Sequence, residues 1–129
     1  MPKRNLPRPT EAELAILRVL WERGESTVRD VQEALHHTRG TGYTTALKLL
    51  QIMTEKGLVR RNDSARTHVY EAAVPEDQTQ RQLVGDLLER AFGGSAQQLV
   101  VQALSAKKAS REELAEIRRL LDELERGAK

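Results

Sequence analysis

The chain has 129 residues, a formal net charge of +2 and no cysteine. This length allows one domain, or a small domain with an appendage. The absence of cysteine excludes disulfides, thiolate-bound metals and thiol nucleophiles, and it suits a reducing cytoplasm. Apolar runs are far shorter than the about 20 residues that cross a bilayer, and the basic start lacks the apolar stretch of a signal peptide. We therefore expect a soluble, cytoplasmic protein with no membrane partner.

The positive charge is concentrated in one part of the chain. Residues 1–74 contain 12 Lys and Arg against 9 Asp and Glu, whereas residues 75–129 contain 9 against 10. Between residues 39 and 68 there are six basic and two acidic residues. A local basic cluster on a chain of modest net charge indicates a defined surface for an anionic partner such as nucleic acid.

Two helices are predicted in the first 40 residues. The first opens at Thr10 with Glu13 three residues later, which is the spacing of a capping box. The second opens after Thr27, with Asp30 in the same relative position. Apolar residues recur at helical spacing in both helices, and we expect Trp21, at the end of the first apolar face, to lie in the core.

A third helix is predicted from Gly42 to Lys56, followed by two β-prone runs, Leu58 to Asn62 and Thr67 to Ala72. Residues 63–66 form a polar tip between the runs. A short helix with hydroxyls at its start, followed by a basic hairpin, is typical of the recognition helix and wing of winged helix-turn-helix proteins. We therefore predict a mainly α fold with a small β hairpin, and a winged-helix DNA-binding domain over residues 1–74.

Residues 75–129 have a helical pattern throughout, with breaks at Gly93-Gly94 and before Ser110. Three slim amphipathic helices cannot bury their own apolar faces well. We expect a second copy of the same segment to cover them, which predicts a helical dimerisation domain and a homodimer. In the last helix the apolar residues are spaced like an a/d seam. The expected interface residues are Leu87, Leu99, Val100, Leu114, Ile117, Leu121 and Leu124.

Several short motifs follow one another between residues 8 and 124. They are Leu-Trp-Glu-Arg-Gly at 20–24, Thr-Val-Arg-Asp-Val at 27–31, Tyr-Thr-Thr-Ala at 43–46, Lys-Gly-Leu-Val at 56–59, His-Val-Tyr at 68–70 and Gly-Gly-Ser at 93–95. In this order and spacing they resemble the penicillinase-repressor family of bacterial regulators, the BlaI/MecI type. The resemblance implies a homodimeric transcriptional repressor that binds double-stranded operator DNA of palindromic sequence.

In some members of this family a sensor-linked peptidase releases the repressor by cutting an Asn-Phe bond in the dimerisation segment. At the corresponding position this chain has Gln102 and Ala103, which form the candidate release region. The resemblance thus implies such a peptidase as a further partner. The altered bond leaves both proteolysis and another route of release open.

The third helix and the wing supply the candidate DNA contacts. Thr44 and Thr45 lie near the helix start, where hydroxyls bond to phosphates or base edges, although one of them is alternatively a helix cap. Tyr43 either contacts the DNA backbone or braces the second helix. On the wing, the tip is expected to reach DNA, while Arg61 or His68 is expected to be partly structural. The full set is Arg39, Thr41, Tyr43, Thr44, Thr45, Lys48, Gln51, Arg61, Arg66 and His68.

Other functional classes have little support in the sequence. No nucleophile elbow, HExxH motif or glycine-rich phosphate loop occurs, so no catalytic residue is predicted. His36 and His37 are adjacent and point in different directions on a helix, so neither a metal site nor a cofactor is predicted. The alternative is a winged-helix module that binds protein without specific DNA binding. Apolar exposure on the third helix, at Leu47 and Ile52, would support that alternative.

Overall fold

The protein is described by a computed structural model that covers residues 8–64 and 66–127. Ala65 of the predicted hairpin tip and the basic start of the chain lie outside the described residues. Contacts divide the chain into two compact units, one that ends at Leu83 and one that begins at Val84.

The first unit opens with helices that begin where the capping boxes predict. Thr10 Oγ1 accepts a hydrogen bond from the Glu13 amide at 3.2 Å, and the Glu13 carboxylate accepts one from the Thr10 amide at 2.9 Å. Thr27 and Asp30 make the same reciprocal pair, both bonds at 3.0 Å. Contacts between residues three apart thus set the helix starts. The helices are α1 (Glu11–Arg23), α2 (Val28–Arg39) and α3 (Tyr43–Lys56).

A two-stranded antiparallel hairpin follows α3, formed by β1 (Val59–Asn62) and β2 (Val69–Ala72). We refer to β1, β2 and the residues between them as the wing. Both strands are one or two residues shorter than predicted. At the start of β1 the reason is local, because the Leu58 amide donates to the Met53 carbonyl of α3 at 2.9 Å and so ends the helix.

Ser26, in the turn between α1 and α2, pairs with Tyr70 of β2 in the antiparallel sense. The Ser26 amide donates to the Tyr70 carbonyl at 3.0 Å, and the Tyr70 amide donates to the Ser26 carbonyl at 2.8 Å. The sequence pattern did not indicate this bridge. It ties the wing to the turn before α2.

The core of the first unit lies between α1, α2, α3 and the wing. Its most completely buried side chains are Ile16, Leu17, Val31, Ala46, Leu50, Met53, Leu58 and Val59. Trp21 packs against this cluster, and its Nε1 donates to the Val74 carbonyl at 2.9 Å. Trp21 is therefore half-buried at the edge of the core rather than within it, and its hydrogen bond holds the chain where it leaves the wing.

Three helices follow Pro75, and the predicted glycine break between the first two is present. Gly93 and Gly94 have φ angles of 56° and 84°, which favour glycine. The contact boundary at Leu83 falls inside the first of these helices, where Thr79 is buried, rather than at Pro75. The separate dimerisation domain from residue 75 stays a prediction. The helices are α4 (Glu76–Phe92), α5 (Ala96–Ala106) and α6 (Arg111–Gly127).

Candidate nucleic-acid interface

The helix α3 buries one face and exposes the other. Ala46, Leu50 and Met53 have no solvent-exposed surface, so they fix the helix against the core. The opposite face is therefore held in one orientation as a polar surface. The predicted contact residues exposed on α3 are Tyr43, Thr44, Thr45, Lys48 and Gln51.

The start of α3 differs from the starts of α1 and α2. Its N-cap is Gly42, and no side chain caps it. The amides of the first turn, which include those of Thr44 and Thr45, therefore lack the side-chain acceptor that a capping residue provides. An uncapped helix start with adjacent hydroxyls favours an anionic group such as a DNA phosphate. The alternative in which Thr44 or Thr45 caps the helix is not observed.

The turn before α3 is held from α2. Gln32 Nε2 donates to the Thr41 carbonyl at 3.1 Å. Thr41 is half-buried, whereas Arg39, in the last turn of α2, is exposed. The structure thus gives the backbone of Thr41 a positioning role for α3 and leaves Arg39 facing solvent.

The two faces of the wing carry different arginines. In the strand register Arg60 lies opposite Glu71, and the two side chains form an ion pair at 3.2 Å. The next residue, Arg61, lies opposite the buried Tyr70 and therefore on the other face, because successive side chains alternate across a strand.

Arg61 is engaged within the wing. Its Nε and Nη2 atoms lie 2.8 and 3.2 Å from the carboxylate oxygens of Asp63. The hydrogen bond and charge of Asp63, with a contribution from Tyr70, raise the pKa of Arg61 above its usual value. His68 Nε2 lies 3.7 Å from the same carboxylate. Arg66, by contrast, is exposed and has no ion pair within residues 8–64 and 66–127.

A groove of about 760 Å³ lies between the start of α2, the start of α3 and the wing, and we call it the α2–wing groove. Its floor is apolar, with the buried Val28 and Tyr70 and the half-buried Leu47. Its polar rim consists of Thr27, Arg29, Tyr43, Arg66, Thr67 and His68.

A second groove, of about 510 Å³, runs along the later turns of α3 beside the wing. Gln51 and Arg61 line it together with the carboxylates Glu55 and Asp63. The predicted contact residues are therefore distributed over two grooves of different charge, and the exposed Thr44, Thr45 and Lys48 line neither.

Arg29 and Thr27 are rim residues that the sequence analysis did not identify. The sequence contains many arginines and threonines, so the charge of Arg29 and the hydroxyl of Thr27 do not by themselves mark these residues as part of a site. They reach the groove because the start of α2 packs beside the wing through the Ser26–Tyr70 bridge. The available sequence signal was the position of Arg29 at the second residue of α2, two residues after the capping residue Thr27.

Most of the predicted interface residues of α4–α6 are exposed. Leu87, Leu121 and Leu124 are 49%, 58% and 61% exposed. Helices α5 and α6, as far as the structure describes them, contain no buried residue. Val100 and Leu114 are also exposed, and Leu99 and Ile117 are half-buried. Gln102 and Ala103 lie exposed within α5.

Among residues 8–64 and 66–127, no group of His, Asp and Glu side chains is arranged to hold a metal ion. The rings of His36 and His37 meet edge to face, with centroids 5.9 Å apart. Within the same ranges no helix is long and apolar enough to span a membrane.

Known proteins resemble this chain in sequence and in fold. The penicillinase repressor family profile matches residues 9–123. Transcriptional regulator BlaI of Mycobacterium tuberculosis is 36% identical over 124 residues, which cover 95% of this chain and 88% of that protein. The penicillinase repressor of Bacillus licheniformis is 23% identical over 120 residues, covering 93% and 94% of the two chains.

Two solved structures share the fold. The solution structure of monomeric Bacillus licheniformis BlaI in complex with the blaP half-operator has a TM-score of 0.51 and 23% identity, covering 58% of this chain and 92% of that one. The solution structure of the DNA-binding domain of the repressor BlaI has a TM-score of 0.50 at the same identity, covering 57% and 90%. The mainly α fold with a winged helix-turn-helix is thus confirmed. The match over residues 9–123 and the 36% identity over nearly the full length show that the chain belongs to the penicillinase repressor family.

Proposed function

We propose that this chain is a sequence-specific DNA-binding transcriptional repressor that acts as a homodimer on a palindromic operator. The observation that carries the proposal is family membership over residues 9–123, in relatives named as a transcriptional regulator and a penicillinase repressor. The exposed polar face of α3 and its uncapped start support it independently.

In the proposed mechanism each α3 enters a major groove and each wing contacts the flanking backbone. Base edges read by Thr44, Thr45, Lys48 and Gln51 provide specificity, while contacts to phosphate set the position of the protein on the duplex. Two copies joined through α4–α6 match two half-sites, and the bound dimer blocks a promoter. The protein regulates and does not catalyse, and it acts in the cytoplasm, where bacterial DNA lies.

The apolar surfaces of α5 and α6 support the homodimer. A cut in the release region at Gln102 and Ala103 would separate α6 from the rest of the chain. Each DNA-binding half would then bind without the benefit of a linked partner. A sensor-linked peptidase is the partner that this route of release requires.

The protein-interaction alternative has weaker support. Ile52 is 39% exposed and Leu47 is half-buried at the base of the α2–wing groove, so α3 offers no continuous apolar surface. Polar and hydroxyl side chains instead occupy the exposed face of its first two turns.

The test is a titration of the purified protein with duplex DNA at several salt concentrations. A repressor should form a saturable complex with operator fragments selected from the source genome, and its affinity should fall steeply with salt. A random-sequence duplex of the same length is the control and should bind more weakly. The absence of a saturable complex at low salt would favour the protein-interaction module.

A further inference from the structure

The described residues that line the α2–wing groove carry only positive formal charge. Its charged rim residues are Arg29 and Arg66, with His68 beside them, and no carboxylate is among the described residues that line it. Thr27, Tyr43 and Thr67 add hydroxyl groups to the lining of the same groove. This combination of cations and hydroxyl groups above an apolar floor suits a chain of phosphates and sugars.

The second groove along α3 differs in this respect. Glu55 and Asp63 line it, and the one cation among its described lining residues, Arg61, is held by both oxygens of Asp63. A phosphate there would meet carboxylates and an arginine that is already paired. Of the two grooves beside the wing, the α2–wing groove is therefore the one whose charge suits a DNA strand.

Arg29 is free to bind an external anion. Within the described chain it has no ion pair, although Glu33 lies one helical turn later. The other nearby carboxylate, that of Asp30, accepts the Thr27 amide at 3.0 Å. This capping box occupies the amides of Thr27 and Asp30, so the Arg29 side chain is the cationic group that this end of α2 offers to an anion.

We propose that the α2–wing groove seats the sugar-phosphate backbone of one DNA strand, and that Arg29 binds a phosphate there from the α2 side while Arg66 binds from the wing. Arg29 is thus a backbone-positioning contact outside both the recognition helix and the wing. This inference rests on the proposed DNA-binding function and extends it to the start of α2.

The experiment measures binding of the full chain to a random-sequence duplex and to the operator, over a range of NaCl concentrations. R29Q should weaken binding to both duplexes by a similar factor, and it should lower the slope of log K against log salt by about 1 for each bound copy. R29K keeps the charge and should keep the slope. R18Q is the matched control, because Arg18 is an exposed arginine of the same unit that does not line the groove.

The outcomes separate this inference from the proposed function. If the wild-type chain binds neither duplex, both are wrong. If it binds and R29Q keeps the wild-type slope, only the role of Arg29 is wrong. An equal fall in slope for R18Q and R29Q would also overturn it, because the effect would then reflect net charge and not a contact. A loss confined to the operator would make Arg29 a base-reading residue and would overturn the backbone assignment.

Discussion

Glu13 connects the start of α1 to the end of α3. Its carboxylate is buried, accepts the Thr10 amide in the capping box, and lies 2.6 Å from Lys56 Nζ. Lys56 Nζ also donates to the Arg8 carbonyl at 3.3 Å. Burial acts to raise the pKa of Glu13, but the hydrogen bonds from Lys56 and Thr10 and the charge of Lys56 together lower it below its usual value.

Replacing this carboxylate should destabilise the first unit in a pH-dependent way. E13Q should lower the free energy of unfolding by about 1–3 kcal/mol at neutral pH, because it removes the negative charge that pairs with Lys56 and weakens the hydrogen bonds that the carboxylate accepts. Since the folded pKa of Glu13 is lowered, its contribution is fully present above the unfolded value of about 4.3 and is lost as pH falls through the folded value. Urea unfolding of wild type and E13Q at several pH values between neutral and acidic gives the difference in their unfolding free energies, which should shrink as pH falls.

The control for Glu13 is E11Q, since Glu11 is an exposed acid in the same first turn. E11Q should leave the unfolding free energy within about 0.5 kcal/mol of wild type. A difference between wild type and E13Q that does not shrink in acid would show that the ionised carboxylate is not what stabilises the fold.

Arg66 is the wing residue best placed to bind phosphate. It is exposed, and Asp63 is already engaged by Arg61. R66A should weaken binding to operator and random DNA alike, and should reduce the salt slope by about 1 for each bound copy. R60A is the control in the same wing, because Arg60 is paired with Glu71 on the other face. An unchanged slope for R66A in a salt titration would place Arg66 away from the DNA.

At the scale of secondary-structure elements, α3 has one face that packs on the core and one face that is exposed to solvent. Its buried face fixes the helix on the core, and the exposed side chains of its first two turns make no hydrogen bond or ion pair with the described residues. Substitutions on the exposed face should therefore change DNA binding while leaving the fold intact. The wing differs from α3 in that two of its exposed cations, Arg60 and Arg61, already form ion pairs with acidic side chains of the hairpin.

The exposed face of α3 should distinguish operator from random DNA. T45A or K48A should cost about 1–3 kcal/mol of binding free energy on the operator if the residue reads a base. Random DNA should lose less, and the melting temperature should not change, because both side chains are exposed. Equal losses on the two duplexes would assign these residues to backbone positioning.

At the scale of the whole molecule, most apolar residues of α6 are exposed. Ile117 is half-buried and Leu121 is 58% exposed. The double variant I117D/L121D should be a monomer, because each aspartate would be buried at the interface without a partner charge. R119D/R126D, on the polar side of α6, should remain a dimer. Analytical ultracentrifugation decides, and a dimer of I117D/L121D would show that α6 does not close the interface.

Truncation tests the release region. A chain that ends at Gln102 lacks the end of α5 and all of α6, so it should lose tight operator binding, because each half then binds without its linked partner. Tight binding by this truncated chain would show that α6 does not govern release.

We further expect a peptidase specific for the Asn-Phe bond of penicillinase-type repressors to leave this chain intact. Gln102 and Ala103 stand where that bond would be, so the exposed segment of α5 does not offer the bond that the peptidase recognises. Intact-mass measurement after incubation provides the readout, and a fragment ending at Gln102 would contradict the expectation.

The sequence by itself determined the elements of this protein and its family. Capping boxes at Thr10 and Thr27 act between residues three apart, and helical periodicity is a property of short windows, so both can be read without knowing the fold. The polar face of α3 followed from the same periodicity. The order of the motifs along the chain carried the family assignment.

Only the tertiary structure decided which distant residues meet. The Glu13–Lys56 pair and the Trp21–Val74 hydrogen bond join residues 43 and 53 positions apart, and neither pairing has a local signal. The same holds for the Ser26–Tyr70 bridge, which brings the start of α2 beside the wing and so forms the groove lined by Arg29. Which arginine is free to bind DNA depends on which one packing places beside a carboxylate, and for Arg61 that carboxylate is Asp63.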